Sequence, residues 1–144
     1  MIYKITTVAV LCVLNMFPAY ASDTTNQVIE KARKACTLEN GTFNASGGAV
    51  KNIDLNADGK SDEIIDEGKF TCSTASSLYC GTGGCMIHLI VDNKDYKYLA
   101  KEWAIAELGR AKVVINAVHW SECNYKTPCV RGVVWRDGKF RTIK

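Results

Sequence analysis

Histidine is scarce in this chain, and the familiar catalytic signatures are missing. Of 144 residues only His88 and His119 carry imidazole. There is no Gly-x-Ser-x-Gly elbow, no His-Glu-x-x-His helix and no Gly-x-x-x-x-Gly-Lys phosphate cradle. These absences remove the elbow-type serine hydrolases, the zincins and the P-loop nucleotide hydrolases. No internal repeat, low-complexity tract or linker is present, so one domain is expected. The apolar stretch from Ile5 to Phe17 is too short for a comfortable membrane span.

That stretch has another reading. Lys4 is the only charge among the first 21 residues, and Ala19-Tyr20-Ala21 has the small-x-small form that signal peptidase cuts, here before Ser22. Residues 1–21 read as a signal peptide and 22–144 as a single globular domain of 144 − 21 = 123 residues. Leu11 precedes Cys12 where a lipoprotein needs a small residue, so lipidation is not expected. Cys12 leaves with the signal, as does Lys4, and the formal charge falls from +3 to +2. A periplasmic or secreted protein with no remaining transmembrane span follows, and nucleic acid is a poor partner for it.

Seven cysteines less Cys12 leave Cys36, Cys72, Cys80, Cys85, Cys123 and Cys129. An even number in a small exported chain reads as three disulfides, for which six cysteines allow 15 pairings. We expect Cys80–Cys85 and Cys123–Cys129 as local staples and Cys36–Cys72 as the long tie. Zinc is the competing account of clustered cysteines. The spacings are not the usual two-residue gaps, and an oxidising compartment disfavours free thiols.

The richest segment is Asp54-Leu-Asn56-Ala-Asp58-Gly59-Lys60-Ser-Asp62-Glu63-Ile64-Ile65. Side-chain oxygens fall at positions 1, 3, 5 and 9, Gly59 at position 6 permits a tight curl, and Lys60 at position 7 would offer its carbonyl. That is how a loop wraps a hard cation such as Ca²⁺. Position 12 is Ile65 rather than the glutamate of an EF-hand, and a strand follows instead of a helix. The run resembles the calcium loops of FG-GAP and VCBS-type repeats, where a DxNxDGxxD loop joins two strands. Those families repeat the unit to make a propeller; here there is one copy, so the resemblance implies a metal loop and not a propeller. More broadly, residues 30–92 resemble small exported proteobacterial proteins with a helix, this loop and a Cys-Gly-x-x-Gly-Cys turn, a likeness that implies no activity.

The competing account of the loop is an Asp/Asn/Gly turn held by its own side-chain-to-backbone hydrogen bonds. Crowding favours a cation: Asp54, Asp58, Asp62, Glu63, Asp66 and Glu67 place six of the chain's 15 acids within 14 residues. An extracellular-type Kd of roughly 10⁻⁴–10⁻³ M, at about 1 mM calcium, contributes only ~0.4–1.4 kcal/mol. The metal is therefore expected to shape a loop without deciding whether the domain folds.

Along the chain, residues 24–38 read as a helix with an apolar stripe of Val28, Ile29, Ala32, Ala35 and Cys36, capped by Asp23 or Thr24. Residues 40–48 read as loop. Strands are expected at 49–53, 63–66, 69–72, 86–91, 96–100, 112–120, 130–135 and 139–143, the last two turning at Asp137-Gly138. The glycines at 81, 83 and 84 suggest positive φ or close backbone approach. The expected fold is α+β: an N-terminal helix and a curved, disulfide-stapled antiparallel sheet of about six or seven strands. A small sandwich carrying one helix fits the same segments.

From Arg110 to Lys144 eight basic residues face only Glu122 and Asp137. Arg131, Trp135, Arg136, Lys139 and Arg141 are the candidate contact residues for an envelope protein or anionic envelope polymer, with Trp103, Trp120, Trp135 and Tyr125 available nearby as aromatic anchors. The expected function is a non-catalytic, calcium-binding interaction module, for instance an inhibitor or regulator of a cell-wall hydrolase. It would gain support from a disulfide loop, at 80–85 or 123–129, carrying an exposed polar or aromatic tip. Two alternatives stand beside it. One is a small hydrolase using Asp66 or Glu67 with His88 or His119. In phase with Met86 and Ile90, or with Val113, Ile115 and Ala117, either histidine is more simply structural. The other is an envelope or secretion-assembly component, which would show an apolar patch at Trp103, Ile105 and Leu108.

Overall fold

The computed structural model describes residues 21–143 apart from 126 and 128. Residues 1–20 of the expected signal segment, with Cys12, and the basic residues Lys126 and Lys144 lie outside the described residues.

Among the described residues one α-helix, α1 (Asp23–Leu38), precedes eleven strands. They are β1 (Phe43–Ala45), β2 (Val50–Ile53), β3 (Asp62–Asp66), β4 (Phe70–Cys72), β5 (Cys80–Gly81), β6 (Gly84–Val91), β7 (Lys94–Ala100), β8 (Glu102–Leu108), β9 (Ala111–Ala117), β10 (Val130–Arg136) and β11 (Lys139–Ile143). Every pairing is antiparallel. Ser22, rather than Asp23 or Thr24, is the helix cap: its hydroxyl accepts from the Thr25 amide.

The strands do not form one curved sheet. They form three: β1-β4, β11-β10-β9-β8, and β2-β3-β6-β5 with β7 also paired to β6. The chain crosses between the two large sheets at Lys101, whose amide donates to the Ala117 carbonyl at 2.7 Å. Gly84 permits the crossing. With φ at +115° it lies so close to β7 that a Cβ would meet the Ala100 carbonyl oxygen at 2.2 Å.

Strand alternation builds the packing. Ile64, Ile87, Leu89 and Val91 point toward Val114 and Val133 of the other sheet, making the core between sheets. Their strand neighbours Ile65 and Ile90 point the opposite way and pack with Ala32, Ala49 and Phe70, with Val28 and Ile29 of α1 against them. The two large sheets pack face to face as a sandwich, with the helix on the outer face of the larger one. Truncating a fully buried side chain such as Ile64 to alanine costs about 2–5 kcal/mol.

The disulfides are Cys36–Cys72, Cys80–Cys85 and Cys123–Cys129. The first fastens the end of α1 to β4, the second spans the β5–β6 register, and the third closes the loop after β9. Strands β1, β5 and β8 were not expected. Strand β8 is rich in alanine and glutamate, poor strand formers, and its state is set by pairing along its length with β9. Strand β9 ends at Ala117 rather than Trp120, because His119 caps a 3-10 turn over Trp120–Cys123. The expected apolar patch is also corrected. Trp103 and Ile105 pack against the core, and only Leu108 is exposed.

Candidate functional site

The chemistry-bearing residues gather in three places. The acidic loop joins β2 to β3 and is organised by its own acids. Asp54 Oδ1 accepts from the Asp58 amide at 3.2 Å and its Oδ2 from the Gly59 amide at 2.9 Å. Asn56 Oδ1 accepts from the Asp58 amide at 3.0 Å, and Asp58 Oδ1 from the Lys60 amide at 2.8 Å. Asp62 Oδ2 accepts from the Leu55 and Asn56 amides at 2.8 and 3.3 Å. Ala57 and Gly59 take positive φ, 62° and 84°, to make the curl. Asp62 is buried, and burial pushes its carboxyl above the usual range. The charges of Asp58 and Asp54 add to the rise, while the two amides oppose it.

The donor chemistry of this loop, three carboxylates and an amide, fits a hard cation. Asp58 and Asp62 each keep one carboxylate oxygen outside these bonds. Among the described residues, however, no three histidine, cysteine, aspartate or glutamate side chains are gathered as a ready cage. The loop is held in the self-bonded turn, and a cation would have to draw the carboxylates inward.

Strand alternation separates the paired acids. Asp62 turns toward the acidic loop, while Glu63 turns under the start of α1. Asp66 accepts from the Gly68 amide and from the Trp103 indole N–H at 3.0 Å. Glu67 meets a histidine. His88, buried on β6, has Nε2 3.1 Å from Glu67 Oε1 and Nδ1 2.9 Å from Asp95 Oδ1. Each ring nitrogen thus faces a carboxylate oxygen, and a ring nitrogen that carries hydrogen donates to it. The three side chains tie the turn after β3 to β6 and β7, and Lys97 lies 3.4 Å from the other Asp95 oxygen. Glu67 and His88 also line a cavity of about 290 Å³ under α1 with Val28, Ala32 and Tyr79.

The third place is the loop between β9 and β10. Closed by Cys123–Cys129, it presents Trp120 and Tyr125, 44% and 69% exposed, with ring centroids 4.6 Å apart. The His119 ring lies 5.2 Å from Trp120. Asn124 and Tyr125 both adopt left-handed φ, 51° and 62°, a strained conformation for a bulky residue. The Tyr125 amide bonds back to the Trp120 carbonyl at 3.0 Å. Arg131 braces the loop, contacting the Glu122 carboxylate at 2.9 Å and its carbonyl at 2.6 Å. Beside it opens a cavity of about 270 Å³ lined by Asn116, His119, Glu122 and Arg131 with Leu99 and Val133. The Oδ1 atom of Asn116 is buried and has no hydrogen-bond partner among the described residues.

The expected basic face is divided. Register places Arg136, Lys139 and Arg141 together on the outer face of the β10–β11 hairpin, exposed. Trp135 instead packs inward, its ring centroid 5.6 Å from Tyr96 and 5.1 Å from Phe140. Arg131 is committed to the 119–129 loop. His119 meets Ser121 rather than a carboxylate. Of the aromatic anchors expected near the basic residues, Trp120 and Tyr125 are brought together on this loop, while Trp103 and Trp135 pack against the core. The signal of the Trp120–Tyr125 pair is two aromatics flanking a cysteine in a polar segment closed by a second cysteine.

Taken together these features define the class: a disulfide-stapled α+β sandwich with an acidic strand-to-strand loop and an aromatic disulfide loop. Comparison with family models, curated proteins and solved structures found no match. Three disulfides agree with a secreted or periplasmic protein. No described helix is long and apolar enough to cross a membrane.

Proposed function

We propose that this chain is an exported, non-catalytic interaction module whose recognition element is the 119–129 loop, with a calcium-shaped loop at its other end. The carrying observation is the exposed Trp120–Tyr125 pair on a loop fixed by a disulfide and by left-handed backbone at Tyr125. Rigid exposed aromatics anchor protein interfaces because they bury much area at little entropic cost. Conformational strain persists where the surrounding structure enforces it, and it clusters at sites of recognition. The partner class is an envelope protein, of which a cell-wall hydrolase is one concrete form. Arg136, Lys139 and Arg141 would add attraction for an acidic partner surface.

Calcium belongs to the proposal through Asp62. Its burial beside Asp54 and Asp58 makes the metal-free loop electrostatically unfavourable, and a divalent cation relieves that. Titration calorimetry of the mature chain tests this part. Millimolar binding that weakens in Asp58→Ala supports it, and no heat at about 10 mM calcium, well above the expected Kd, removes it.

The hydrolase reading has one observation in its favour, the 3.1 Å approach of Glu67 to His88 beside a cavity. His88 meets a carboxylate at each nitrogen, a geometry that suits a structural clamp at least as well as a general base. Release of soluble fragments from envelope glycan or peptide, abolished by His88→Asn in a folded variant, would replace the interaction reading with this one.

A further inference from the structure

Glu63 is a buried carboxylate, 7% exposed, in the middle of the β2-β3-β6 sheet. It forms no salt bridge with a lysine, arginine or histidine among the described residues. Its partners come from the start of α1. Thr25 Oγ1, fully buried, donates to Oε2 at 2.7 Å, and the nitrogen of Ser22 lies 3.1 Å from both Oε1 and Oε2. A peptide amide has one hydrogen to share between those two oxygens and carries no charge. A buried carboxylate so served is incompletely compensated.

Ser22 is also the residue that follows the Ala19-Tyr20-Ala21 processing signal. Hydrolysis of the Ala21–Ser22 bond leaves the carboxylate on Ala21 and converts the Ser22 amide into an α-ammonium. That group has three hydrogens and a positive charge at the same position. We propose that the structure is built for this product: Ala21–Ser22 is the maturation site, and Glu63 is the receptor for the new chain end, so processing completes a buried ion pair that locks α1 onto the sheet.

Several features fit this arrangement. The hydrogen bonds that seat Ser22 do not depend on Ala21: its hydroxyl caps Thr25, and its carbonyl accepts from the Asn26 amide at 3.0 Å. Ala21 itself holds little in place. Its carbonyl accepts a long hydrogen bond from Asn26 Nδ2, at 3.4 Å, which cleavage would remove. The surroundings call for positive charge. Ser22 and Glu63 line a cavity of about 190 Å³ with Asp58, Asp62 and Asp92, against which Lys60 is the only lining cation among the described residues. An ammonium in two charge-assisted hydrogen bonds is the stronger partner for a carboxylate. The inference goes beyond the interaction reading and needs neither its partner nor calcium.

The test compares the oxidised chain starting at Ser22 with one that keeps a single extra residue, Ala21, each with Glu63 or Glu63→Gln. The chain beginning at Ser22 should melt about 5–10 °C higher than the Ala21 chain, and Glu63→Gln should erase most of that difference. Equal melting points, or a difference that persists undiminished in Glu63→Gln, would overturn the pairing. Amide exchange at the first turn of α1 supplies a readout that does not require the Glu63→Gln protein to fold. Protection at Thr25 and Asn26 should fall at least tenfold in the Ala21 chain, and unchanged protection would overturn the proposal. Mass spectrometry of the exported protein should find Ser22 first; a start at any other residue would overturn the assigned site.

Discussion

The acidic loop at 54–62 and the aromatic loop at 119–129 do the same topological job by opposite physics. Each joins two antiparallel strands and each bends the backbone through positive φ. The acidic loop has no covalent tie, and its conformation comes from Asp54, Asn56, Asp58 and Asp62 accepting from the loop's own amides. The aromatic loop has the Cys123–Cys129 bond and the Arg131 brace, and it turns its aromatic side chains outward. A loop built on repelling charges is free to rearrange around a cation. A loop built on a covalent closure presents a fixed surface. They also sit apart. The acidic loop shares a cavity with Asp92 and Asn93 at the end of β6, and the aromatic loop borders a cavity with Gly83 before its start. Eight residues of strand separate those points, roughly 25 Å at about 3.3 Å per residue.

The sharpest break in that comparison is covalent. Replacing Cys36 and Cys72 together by alanine should cost about 4 kcal/mol in the chain-entropy account, because that bridge encloses the whole acidic loop. Replacing Cys123 and Cys129 should cost about 2 kcal/mol, since the closed segment is short. Urea unfolding of oxidised proteins measures both. An acidic loop more damaging to remove than either bridge would reverse the ranking.

Chelation comes next. Removing calcium from the mature protein at about 1 mM should cost no more than ~1.4 kcal/mol. The same loop has a pH signature without metal. Asp62 is raised in the folded state, so between its unfolded value near 3.8 and its higher folded value the native protein binds more protons than the unfolded one. Its contribution to stability therefore falls as pH rises through that window. Calcium should flatten the fall, and Asp62→Asn should remove it. A melting series from about pH 3 to 7, with and without calcium, reads the slope.

The smallest stability effect should come from the other loop. Trp120→Ala and Tyr125→Ala remove exposed rings and should change unfolding by less than about 0.5 kcal/mol. Their effect belongs to binding.

How much of this was legible in the sequence follows from which forces act locally. The helix stripe, the Asp137-Gly138 hairpin and the self-bonded acidic loop are short-range matters, and their residues announce them. Partition into sheets is not local. Nothing in Glu102–Leu108 marks it as the edge partner of β9, and nothing in the pattern shows the crossing at Lys101 that makes two large sheets from one. The approach of His88 to both Glu67 and Asp95 likewise needs the register of β6 and β7 and the turn after β3. Trp135 and Arg131 entered the basic face by proximity in sequence, and strand alternation moved them out of it. The aromatic tip is legible in part: Trp120 and Tyr125 stand out as anchors beside the 123–129 closure, but their pairing, and the burial of Trp103 and Trp135, need the folded sheets.

The most direct test of the account is capture from an envelope extract by immobilised chain 22–144, by its Trp120→Ala/Tyr125→Ala variant, and by the native chain in EDTA, read by mass spectrometry. The account predicts one dominant protein held by the native chain, held equally in EDTA because the acidic loop lies at the far end, and lost from the double variant. The same protein retained by the double variant would contradict it, as the recognition surface would then lie elsewhere on the molecule.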